Sequence, residues 1–68
     1  MKKIFKIDGM HCKSCKSLIE LELGDLDFVD SVRVSLEDEI ADIDLQKDKL
    51  KTVIETINKL GFSARVLE

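Results

Sequence analysis

The chain contains no proline, no tryptophan and no tyrosine, only three glycines and a single histidine. Without tryptophan or tyrosine it lacks the usual stacking platforms of single-strand binders. A net charge of −3 also runs against the basic face that a nucleic-acid surface needs, so no nucleic-acid partner is expected. No apolar run approaches the roughly 20 residues that span a bilayer. The opening segment Met1-Lys2-Lys3-Ile4-Phe5-Lys6-Ile7-Asp8 lacks the continuous apolar stretch of a secretory signal. No membrane insertion and a cytoplasmic location are the resulting expectations. Cysteine is scarce as well: Cys12 and Cys15 are the whole complement. A secreted mini-protein stapled by disulfides carries more of them at wider spacing. A bond between these two would close a tiny loop and restrict the unfolded chain little.

What the chain does have is an ordinary globular balance, 44% hydrophobic and 37% charged residues, too apolar for disorder. Its 68 residues make one domain, 1–68. At about this size a chain buries only about 60% of the surface its unfolded form exposes. Too little chain remains to wall in a large cavity, so chemistry is expected on a surface loop.

The apolar pattern changes period along the chain. Lys3 to Asp8 alternates, with Phe5 and Ile7 on one face, and reads as a strand. Cys15, Ile19, Leu23 and Leu26 recur at helical spacing, with Leu18 and Glu22 adjoining. They predict a helix from about Lys13 to Leu23, with Gly24 placed to stop it. Val29 to Leu36 alternates again, with Val32, Val34 and Leu36 inward. After the acidic turn Glu37-Asp38-Glu39, the residues Ala41, Ile43 and Leu45 give the return strand. That turn has no Asn-Gly or Asp-Gly to pin its type. Leu50, Val53, Ile54, Ile57 and Leu60 form a second helical stripe, with Asp48 able to cap its start and Gly61 in the usual terminating position. Phe62, Ala64 and Val66 alternate as a last strand. The order β-α-β-β-α-β predicts an α+β, ferredoxin-like sandwich: a four-stranded antiparallel sheet with both helices on one face.

The segment between the first strand and first helix, Gly9-Met10-His11-Cys12-Lys13-Ser14-Cys15, concentrates the chemistry. Side chains three apart around a helix start are neighbours, so two sulfurs can converge on one ion. The helix N-terminus, with its unpaired N–H groups and partial positive charge, favours thiolate over thiol, and Lys13 and Lys16 act in the same sense. Soft thiolates select Cu(I), Zn(II) and related ions over magnesium or calcium. A pair is only half of a closed zinc site, and an under-coordinated ion leaves room for an incoming ligand. Cu(I) is therefore the expected cargo, with Zn(II) or another soft ion as the alternative. Gly9 lets the backbone bend into the loop. Met10 is expected to prop the loop from the core, the commoner task for methionine, rather than to bind metal.

On these residues the chain resembles the heavy-metal-associated domain family, whose motif Gly-Met-x-Cys-x-x-Cys is matched from Gly9 to Cys15. The helix positions Ile19 and Leu23, the strand around Val32 and Val34, and Lys59-Leu60-Gly61-Phe62 also fall where the family places them. The resemblance implies a copper chaperone, or the soluble metal-binding domain of a P-type metal ATPase, that passes Cu(I) between paired sites by ligand exchange. It implies metal ligation by Cys12 and Cys15 and a P-type ATPase, or its soluble domain, as partner. A metal-bridged homodimer is a further possibility, since an exposed two-coordinate ion invites more sulfur. The chain is expected not to be an enzyme. Phe62 resembles the aromatic that often follows the glycine in bacterial members and ATPase domains, where it would shield the loop; it also reads as a core residue of the last strand. His11 stands where threonine is more frequent, and reads either as a third ligand or as a solvent-facing side chain. From another class, a thiol–disulfide oxidoreductase would use the same Cys-x-x-Cys spacing, but its cis-proline loop cannot exist in a chain without proline. Lys13, Lys16 and Lys59 read as a basic rim that steers an acidic partner, or as ordinary solvated charge.

Overall fold

In a computed structural model, residues 1–67 are described; Glu68, the last residue of the expected domain, lies outside them. The elements are β1 (Lys2–Asp8), α1 (Lys13–Gly24), β2 (Val29–Ser35), β3 (Ile40–Leu45), α2 (Leu50–Lys59) and β4 (Ser63–Val66). They form a four-stranded antiparallel sheet in the order β2-β3-β1-β4. This is the ferredoxin-like sandwich that the alternating periods predict. Phe5 and Ile7 of β1, Ala41, Ile43 and Leu45 of β3, Ile19 and Leu23 of α1, and Val53 and Ile57 of α2 are buried together as its core. Each comes from the phase of its element that the sequence marks as apolar.

Several local expectations are corrected. Gly24 does not stop α1 from outside; it is the last helical residue, and the turn is closed by Asp25, whose N–H donates to the Leu21 carbonyl at 3.2 Å. Leu18, expected beside the buried stripe, is exposed, as is Leu21. Asp48 does not cap α2. Lys49 holds the N-cap position, and no side chain caps it; Asp48 sits one residue too early, and the Lys49 Nζ lies 5.6 Å over the Phe28 ring instead. In β2 the pairing passes from Val29↔Leu45 to Ser31↔Asp44. This bulge changes the alternation phase, so Val29 and Val32 both pack against the core. Leu36 falls just past β2 and is half-buried. Val66, one of the three apolar positions alternating in the last strand, is exposed on β4 at the outer edge of the sheet.

At the β2 edge, Glu20 of α1 reaches over and accepts the Val34 N–H at 3.1 Å. An edge N–H that would otherwise template a new strand is thus occupied from within. At the other end of the hairpin, Glu39 adopts φ 57 in the absence of the glycine such a turn favours. Its carbonyl accepts the Ile7 N–H at 2.8 Å, and its carboxylate meets Lys6 Nζ at 3.2 Å.

Candidate metal centre

Strand β1 ends at Asp8 and helix α1 begins at Lys13, so four residues carry the chain across the end of the sheet. Gly9 takes φ 101, a conformation open to glycine and strained for other residues. Met10 then turns inward and is 5% exposed, part of the core; a long apolar side chain anchors the loop from below. His11 and Cys12 face solvent, and Cys15 is half-buried against the core.

Cys12 is the N-cap of α1, and its carbonyl accepts the N–H of Cys15 at 3.1 Å and of Lys16 at 3.4 Å. This first turn brings the two sulfurs to 3.7 Å, and both are free thiols. The Cys12 pKa is lowered, first by the Cys15 N–H, then by the Cys15 thiol and the Ser14 N–H, against a small opposing effect of burial. None of these N–H groups completes a cap bond to the sulfur; it is the field of the helix start that favours thiolate.

The donor chemistry fits a soft ion. With metal–sulfur bonds of about 2.3 Å, an ion shared by sulfurs this far apart would subtend about 107°, leaving one side of the ion uncovered. A linear arrangement requires the sulfurs to separate by about 0.9 Å more at that bond length. Among the described residues no cluster of three His, Cys, Asp or Glu side chains is assembled, so His11 is not gathered with the cysteines as a third donor. Phe62 lies just ahead of β4 rather than in it, after Leu60 and Gly61 at the end of α2, and packs partly buried against the core; a Cβ on Gly9 would lie 3.4 Å from its Cδ1.

Two residues of the expected basic rim, Lys13 and Lys16, line one groove between α1 and β2 together with Arg33, alongside Glu20 and Glu37. Arg33 was legible only as an outward-facing β2 position, because its nearness to α1 depends on the tertiary fold. The backbone of Ser14 was missed as well, though any N–H in the first turn of a helix is a candidate for this role.

Residues 4–63 match the heavy-metal-associated domain. A copper-transporting ATPase of Helicobacter pylori is 39% identical over 67 residues, which is 96% of this chain and 9% of the relative. The chain therefore spans only a small part of the curated relatives it matches. Among solved structures, the CopZ metallochaperone superposes with a TM-score of 0.90 at 27% identity, covering 96% of this chain and 100% of that one. The N-terminal domain of ZntA in its Zn(II) form superposes with a TM-score of 0.91 at 27% identity, covering 98% and 92%. Among the described residues no helix is long and apolar enough to cross a membrane.

Proposed function

The chain belongs to the heavy-metal-associated domain family, and from that premise we propose that it carries Cu(I) on Cys12 and Cys15 and yields it by ligand exchange to a metal-binding domain of a P-type ATPase. The observation that carries this reading is the pair of free thiols 3.7 Å apart at the exposed start of α1, with no third donor clustered beside them among the described residues. Two soft sulfurs choose the class of ion, and the uncovered side of the ion admits a partner's thiolate. The incoming sulfur–metal bond forms as one of the two original bonds breaks, and no electron changes hands. The residues 1–68 act as one domain on this reading, in the cytoplasm, as a binding module with no catalytic step.

Two features favour variants of the same reading. The copper-transporting ATPase match covers 9% of that relative, which fits a metal-binding segment of a longer transporter as well as a free-standing chaperone. Mass spectrometry of the endogenous polypeptide separates the two. The Zn(II) form of the ZntA relative favours zinc as the second cargo.

The test is an anaerobic titration of the reduced protein with Cu(I) against a chelator of known affinity, with a Cys12→Ser, Cys15→Ser control. One tightly held ion, lost in the control and not matched by Zn(II), is the expected result. Weak binding, or binding that survives without the cysteines, overturns the reading. Catalytic turnover of a disulfide substrate would put a thiol–disulfide oxidoreductase in its place.

A further inference from the structure

We propose that Gly61 is a positioning residue for the cysteine pair, acting through Phe62. The metal-binding reading enters only the second of its two tests. Helix α2 ends on Lys59, with Leu60 as its C-cap. Gly61 then takes φ 99 and donates its N–H to the Asn58 carbonyl at 3.0 Å, while the Phe62 N–H donates to the Ile57 carbonyl at 3.4 Å. These are the paired bonds of a glycine-terminated helix, and they fix the direction in which the chain leaves it. Ile57 is fully buried, so the direction is referred to the core.

The next residues enter β4 with Asp8 opposite Ser63 and Ile7 opposite Ala64. Continued by one step, that register sets Phe62 beside Gly9, and its ring stands where a side chain on Gly9 would point, 3.4 Å from the place a Cβ would take. The loop carrying Cys12 is therefore held at two points: Met10 is anchored in the core, and Gly9 lies against the Phe62 side chain. A residue other than glycine at position 61 strains the exit from α2 and turns Phe62 away from Gly9. That releases the second hold without touching the loop itself. A Cβ at position 61 would meet nothing within 4 Å, so Gly61→Ala perturbs the backbone conformation alone.

Loss of stability is expected from Gly61→Ala on any reading, so the deciding measurement is reactivity. The reduced, metal-free chain is alkylated with iodoacetamide under conditions where circular dichroism shows every variant folded, and modification of Cys12 and Cys15 is followed by mass spectrometry. Gly61→Ala is expected to accelerate alkylation of the half-buried Cys15 about fivefold, on the scale of the strain at a left-handed position, and Phe62→Ala, which removes the same hold, to act in the same direction. The double variant is expected to be no faster than either. Val53→Ala, which removes packing from the same helix, is expected to match wild type. Should Gly61→Ala fail to fold, Gly61→Asn takes its place, because asparagine tolerates left-handed backbone better than other side chains, and a smaller acceleration is expected. A wild-type rate in the position-61 variant, or multiplying effects in the double variant, overturns the proposal. The rate at which a chelator strips Cu(I) from the loaded protein should follow the same non-additive pattern. If wild type holds no Cu(I) while the alkylation pattern stands, the carrier reading fails and the positioning role remains.

Discussion

At Cys12 the N–H groups of Cys15 and Ser14 and the neighbouring thiol bear on one exposed sulfur and lower its pKa from the ordinary 9.0. Thiolate absorbance followed as pH rises is expected to show its first step below that value, and the step should vanish in Cys12→Ser. The unfolded chain keeps this proton to higher pH. Between the lowered pKa and 9.0 the unfolded state therefore binds more protons, and stability rises with pH across that window. As pH falls through the lowered pKa the contribution is lost. Denaturant titrations of wild type and Cys12→Ser at matched pH values should diverge only above the lowered pKa. The cysteines were legible because their spacing and the following helical stripe are local facts. The buried Met10 was legible for the same reason. Arg33 was not, since its place beside Lys13 and Lys16 depends on how β2 packs against α1.

The ends of the elements show where sequence pattern stops being informative. Gly61 terminates α2 as its position predicts, because the following Phe62 and the buried Ile57 supply the partners that a glycine cap uses. Gly24 looked equivalent, yet it remains helical, and Asp25 closes the turn. The bulge between Val29 and Ser31 escaped the period-two reading, since an extra residue changes the phase without altering composition. The hairpin keeps its register through Glu39, held at φ 57. Glu39→Gly should relieve about 1 kcal/mol of that strain and lose a few tenths in the partly exposed pair with Lys6. A net rise in the urea midpoint with an unchanged slope is the expected outcome. A fall would mean that the pair with Lys6 outweighs the backbone strain.

Across the whole molecule, an acidic chain of net charge −3 places Lys13, Lys16 and Arg33 along one groove that starts next to Cys12, with Glu20 and Glu37 among them. Transfer to an acidic partner domain is expected to slow as salt rises, since surface charges are screened beyond about 10 Å at 0.1 M. Replacing Lys13, Lys16 and Arg33 by alanine should flatten that dependence, whereas Lys59→Ala should leave it intact. Stopped-flow transfer rates across a salt series decide between them, and rates independent of salt would remove steering altogether. The topology was legible from the order of periods alone. The carboxylate on the β2 edge was not, because Glu20 and Val34 belong to different elements and meet only in the folded chain. That bond marks one point on the edge. A strand from another copy that pairs with β2 at Val34 must first displace a carboxylate from the N–H it would use.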